Sequence, residues 1–116
     1  MVSLTGGEKD TSEPVFLKAK PNNFQTNFNN NTIELVFDEY LQLKNAEEQI
    51  IIGPNNGLKI KAKIKGKKIN LSLIGELKAN TTYTINFGEA LSDYTESNIL
   101  RDFQYVFSTG ANLDSI

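Results

Sequence analysis

The chain has 116 residues, 39% of them hydrophobic and 22% charged, with 12 Lys and Arg against 14 Asp and Glu, a formal net charge of -2 and a pI near 5.1. It contains no histidine and no cysteine, which excludes Ser-His-Asp and Cys-His catalysis, His- or Cys-ligated metals and thiol redox chemistry. The acidic balance excludes the overall basic field of a nucleic-acid-binding protein, and no apolar run approaches the roughly 18 residues of a membrane-spanning helix. At 12.9 kDa the surface scaling gives about 6,000 Å² folded against about 19,000 Å² unfolded, so one core forms without disulfide, metal or cofactor.

Residues 14–20 read as the first strand, with Val15, Leu17 and Ala19 on one face, and Pro21, Asn22 and Asn23 break it. The connection that follows carries Asn22, Asn23, Asn27, Asn29, Asn30 and Asn31, a side chain tolerant of left-handed backbone angles. In 32–37, Ile33, Leu35 and Phe37 alternate with Glu34 and Val36, a strand with one apolar face, and Asp38 and Glu39 end it. Residues 41–49 have room for a short helical turn. Ile50, Ile51 and Ile52 give a third strand, closed by the turn formers Gly53, Pro54, Asn55, Asn56 and Gly57.

Residues 58–74 read as a hairpin. Leu58, Ile60, Ala62 and Ile64 alternate with Lys59, Lys61, Lys63 and Lys65, and Ile69, Leu71 and Leu73 return. A two-residue type II′ loop at Gly66 and Lys67 pairs Lys65 with Lys68, Ile64 with Ile69, Ala62 with Leu71 and Ile60 with Leu73. Every apolar residue then shares one face, which a one-residue slip would turn to solvent.

In the sixth strand, 82–87, Tyr83, Ile85 and Phe87 point inward; in the seventh, 103–108, Phe103, Tyr105 and Phe107 do so. Between them 88–102 is a long acidic loop with room for one helical turn. Seven short strands at this spacing predict an all-β fold, a seven-stranded antiparallel immunoglobulin-like β-sandwich, with a closed barrel as the alternative. Tyr83 begins the sixth strand six residues after Leu77. That is the place of a tyrosine corner, whose phenol bonds back to the backbone, so both residues are assigned structural roles.

These segments resemble the bacterial Ig-like domains of surface-layer proteins and Bacteroidetes envelope lipoproteins. The resemblance is carried by Pro14 and the first strand, by Pro21 to Asn23, by Ile33 to Glu39, and by Leu77 with Asn80 to Phe87. Leu91, Ser92 and Asp93 with Glu96, Ser97 and Asn98 resemble a loop of that family, and Phe103 to Gly110 its closing strand. Gly6 to Thr11 resembles the mature N-terminus of such lipoproteins, which implies a lipidated cysteine upstream in the parent. Asp114, Ser115 and Ile116 resemble a short O-glycosylation signal of Bacteroidetes envelopes. The implied organisation is a flexible segment at 1–13, the sandwich at 14–110 and the start of a linker at 111–116.

Two charge clusters are candidate sites. Lys59, Lys61, Lys63, Lys65, Lys67 and Lys68 place six of the 12 basic residues in one hairpin. Lysines there protect a sheet edge from pairing with other chains. The second reading makes Lys59, Lys61, Lys63 and Lys65 an anion- or partner-binding face for acidic polysaccharide or lipid headgroups. No aromatic residues interleave to stack bases, so nucleic acid is not the expected partner. Asp38 and Glu39, with Glu89, Asp93, Glu96 and Asp102, lie on two loops that share one pole of an Ig-type sandwich. Oxygen ligands from two neighbouring loops suit Ca²⁺; the competing reading is solvated loop charge, with Asp93 and Asn98 capping turns. No catalytic residue is assigned, and Ca²⁺ at this pole is the one cofactor considered.

The expectation is a non-enzymatic spacer, scaffold or adhesion module of a larger envelope lipoprotein, associated with the outer membrane through an anchor outside this sequence. Its partners are the downstream domains of the same polypeptide, with envelope proteins or glycans as further candidates, and the isolated domain is expected to be a monomer. A glycan- or calcium-binding module is the alternative.

Overall fold

The computed structural model describes residues 13–113 apart from Asn56. Expectations for 1–12, for Asn56 and for Asp114, Ser115 and Ile116 lie outside the described residues. The elements are β1 (Phe16–Lys20), β2 (Thr32–Phe37), β3 (Leu41–Leu43), α1 (Ala46–Gln49), β4 (Ile51–Gly53), β5 (Lys59–Lys65), β6 (Lys68–Ile74), β7 (Thr82–Asn86), β8 (Leu91–Asp93) and β9 (Gln104–Ser108). They form a four-stranded sheet in the order β1-β2-β6-β5, a three-stranded sheet β4-β7-β9 and a ribbon β3-β8, every pairing antiparallel. The fold is the all-β, Ig-like sandwich that the alternation predicts, with the seven expected strands present and the short β3 and β8 added to them.

The core is what period-2 alternation makes it. Ile33, Leu35 and Phe37 of β2 and Ile69, Leu71 and Leu73 of β6 are buried in one cluster with Ile52, Tyr83, Ile85, Tyr105 and Phe107 of the other sheet. Burying each such side chain contributes about 1.5–3 kcal/mol. Aromatic rings concentrate at the two ends. Phe16, Phe37, Phe87 and Phe103 meet at centroid distances from 5.1 to 5.6 Å. At the opposite end of β9, Phe107 lies 4.1 Å from Phe28 and 5.3 Å from Tyr83. The β5–β6 register is the one that a Gly66–Lys67 loop imposes: Lys65 faces Lys68, Ile64 faces Ile69, Ala62 faces Leu71 and Ile60 faces Leu73. Gly66 takes the positive φ of that turn, 65°.

Three expectations are corrected. In β1, Val15 and Leu17 are 53% and 58% exposed, while Ala19 is buried and Phe16 half-buried. A register shift between Phe16 and Lys18 breaks the alternation, and the Phe16 ring, not Leu17, enters the core. The loop 88–102 holds strand β8 and no α-helical turn, because Leu91–Asp93 finds a partner in Leu41–Leu43; the segment 41–49 holds both β3 and the expected turn α1. In β9, Val106 and Ser108 are buried along with Tyr105 and Phe107. The asparagine-rich connection docks along this strand, with Phe24 N–H donating to the Val106 carbonyl (2.6 Å), Ser108 N–H to that of Gln25 (2.8 Å) and Phe28 N–H to that of Ser108 (2.9 Å). Asn23 Oδ1 accepts the Val106 N–H at 2.8 Å. Phe24 and Asn27 take φ of 65° and 52° to make the path, so this connection covers a sheet edge that would otherwise be open.

Two tyrosines bolt loops to the core. Tyr83 is fully buried and its hydroxyl accepts the Lys78 N–H at 2.9 Å, the geometry of a tyrosine corner, with Leu77 half-buried against the core. Tyr105 donates to the Pro21 carbonyl at 2.7 Å and reaches that of Asn22 at 3.2 Å; burial raises its phenol pKa above the ordinary tyrosine range. Tyr83→Phe leaves the Lys78 N–H without its acceptor, and the expected loss is about 1 kcal/mol. Urea denaturation of the two forms measures it, and coincident midpoints would show that the corner bond carries no stability.

Candidate functional site

The β3–β8 ribbon brings the loop after β2 beside the loop after β7. Tyr94 N–H donates to the Tyr40 carbonyl across it at 2.8 Å, so the two acidic loops do share a pole. The carboxylates on them serve different local bonds. Asp93 is 1% exposed; its Oδ1 accepts the Glu96 N–H at 2.6 Å and its Oδ2 accepts Asn98 Nδ2 at 3.0 Å. Its backbone N–H donates to the Asn98 carbonyl, and its own carbonyl accepts from Ser97 N–H and Gln42 Nε2. Asp93 is thus the hub of the 93–98 turn. Asp38 Oδ1 accepts the Val15 N–H at 2.8 Å and holds the entry to β1.

Glu89 pairs with Arg101 in an exposed ion pair, a kind worth about 0–1 kcal/mol. Glu39 is half-buried and Asp102 exposed, the latter at φ 54°. Glu96 is half-buried, and its Oε1 is buried without a hydrogen-bond partner. Among the described residues no three Asp or Glu gather into a group able to hold a metal ion. The two oxygens of Asp93 are turned onto the loop's own donors.

The lysines stand apart from this pole. β5 is an edge strand of the four-stranded sheet, and Lys59, Lys61, Lys63 and Lys65 are exposed along it. Lys67 leaves the row to sit over the Tyr40 ring, 5.3 Å from its centroid. Lys68 on β6 pairs with Glu34 on β2 at 3.2 Å. Sequence reasoning missed two members of the cluster, Lys18 and Lys20 on β1, which are exposed on the same outer face. Their alternation was visible, but the sheet order that places β1 two strands from the hairpin was not.

Replacing Asp93 by Ala removes the acceptor of two buried-side donors, and the expected cost is about 2–4 kcal/mol. In the parent, 1 mM Ca²⁺ is expected to move the melting temperature no more than Mg²⁺ at equal ionic strength. A calcium-selective rise, or an Asp93→Ala variant as stable as the parent, would overturn the reading of Asp93 as an internal hub.

Compared with known proteins, residues 10–109 match a family model described as a bacterial Ig-like domain. No protein of curated function matches the chain. Among solved structures, the N-terminal part of the bacterial S-layer protein SbsC is similar, with a TM-score of 0.55 at 14% identity. The match covers 84% of this chain and 23% of that one, so the chain corresponds to a minor part of that protein's length. At this identity the likeness concerns the fold.

Proposed function

The chain belongs to the bacterial Ig-like domain family, and from that premise we propose that it is a non-catalytic spacer and interaction module of a larger cell-envelope protein. Domains of this family are typical of surface and structural modules. The observation that carries the reading is how the polar groups at the ends of the sandwich are used. Asp38, Asn23 and the phenol of Tyr105 are each bonded to the backbone of a distant segment, and Asp93 and the phenol of Tyr83 fix the turns beside them. Loops fixed in this way make a stiff body, suited to setting distance and orientation between neighbouring domains. They leave those side chains unavailable as acid, base or nucleophile.

The finer setting we assign is a lipoprotein associated with the outer membrane, acting beside domains of the same polypeptide and monomeric when isolated. Its support is the resemblance of Gly6 to Thr11 to a lipoprotein N-terminus. In the source organism, an antibody raised against this domain is expected to detect the full-length protein in the envelope fraction, and palmitate labelling to mark it. Recovery from the cytosol alone would contradict the envelope role; envelope recovery without the label would contradict the lipid anchor only.

A further inference from the structure

The sheet order β1-β2-β6-β5 gathers onto one outer surface lysines that the sequence scatters over fifty residues. In the observed register the first cross-strand row is Lys18, Val36, Lys68 and Lys65, and the second is Lys20, Glu34, Asn70 and Lys63. Thr32, Ser72 and Lys61 make the next row, and Lys59 lies beside Ile74. Among the described residues, seven lysines thus occupy one sheet face, with Glu34 as its single acid. The chain as a whole has 14 Asp and Glu against 12 Lys and Arg, so an acidic protein carries a strongly basic face.

Protection of edges accounts for lysines on β1 and β5, but not for a lysine on an interior strand or for the scarcity of acid on a face of this size, since soluble surfaces intersperse both signs. Lys68 lies on β6, an interior strand. It stands directly opposite Lys65, a like-charge pair that Glu34, 3.2 Å from Lys68, offsets in part.

We propose that this face binds an acidic polysaccharide. The lysine row of β5 extends about 20 Å at the 3.4 Å rise of an antiparallel strand, and the face is about 14 Å wide at 4.8 Å per strand. That extent fits a linear polyanion rather than a single small anion. Between the ammonium groups stand the amides and hydroxyls of Asn70, Ser72 and Thr32, partners for sugar hydroxyls. A shallow groove beside them is lined by Lys20, Asn30, Thr32, Glu34, Asn70 and Ser72. Insertion into a lipid surface asks for apolar side chains and single-stranded nucleic acid for aromatic platforms; the rows hold Val36 and Ile74 as their apolar members and no aromatic residue, and attachment to anionic headgroups by charge alone is an arm of the test below. The proposal rests on the envelope reading for the setting in which such polymers are met, and its failure would leave that reading to the fractionation experiment.

The test is fluorescence anisotropy of a labelled polygalacturonate oligomer with the whole chain in about 50 mM NaCl. Saturable binding is expected, falling at least about tenfold at about 300 mM NaCl as screening shortens the reach of the charges. The triple variant Lys18→Gln, Lys63→Gln, Lys68→Gln keeps Lys20, Lys59, Lys61 and Lys65 on the two edges. It should lose at least about tenfold in affinity with its melting curve and monomeric state retained. The off-face pair Lys44→Gln, Lys78→Gln should bind as the parent does. No saturable binding, equal binding to neutral dextran, equal losses in both variants, or tighter binding to duplex DNA or to vesicles with anionic lipid would each overturn the proposal.

Discussion

One parity decides both faces of the larger sheet. The Gly66–Lys67 turn sets which residues of β5 oppose those of β6, and every second residue on each strand follows. With this register Ile60, Ile64, Ile69, Leu71 and Leu73 face the core while Lys59, Lys61, Lys63 and Lys65 face water. A slip by one residue would exchange the two sets. It would forfeit about 1.5–3 kcal/mol for each apolar side chain and would force ammonium groups into the interior, where an unpaired charge costs far more. The apolar and charged sets therefore enforce the same register from opposite sides. The inner face supplies the core, and the outer face becomes the basic surface.

The parts of the fold legible in the sequence are those where this parity runs undisturbed over five or more residues. β2, the β5–β6 hairpin and the inner residues of β7 are of this kind, and Tyr83 was placed by its position at the start of β7. β1 was misread because the register shift between Phe16 and Lys18 leaves no side-chain signal, and Val15 and Leu17 look as apolar as Phe16. β3 and β8 are three residues each and pair across some fifty residues of chain; such segments are too short for a period and depend on contacts that only the assembled sandwich provides. The burial of Val106 and Ser108 has the same origin in the connection that docks along β9.

Charged residues were legible as clusters and only in part as roles. Turn capping by Asp93 is one of the two readings the sequence offers, and the Glu96 N–H that Asp93 accepts agrees with it; that its second oxygen takes the Asn98 amide cannot be read from spacing alone. Lys18 and Lys20 were not connected with the hairpin because their proximity follows from sheet order. The structure divides polar side chains into two populations. One is bonded to the backbone and stiffens the ends of a bacterial Ig-like domain; the other, mostly lysine, is exposed on one face of the larger sheet.

The claim that one register creates both faces can be tested directly because the chain has no cysteine. Lys63 and Asn70 are directly opposite, at the 4.5–5.5 Å Cα separation of antiparallel partners, within the range a disulfide bridges. The double variant Lys63→Cys, Asn70→Cys should oxidise under mild conditions to a single cross-linked monomer that retains the parent's fold and gains stability. Thiols that stay free in the folded protein, or a cross-link that forms only on unfolding, would contradict the register and with it the origin assigned to both the core and the basic face.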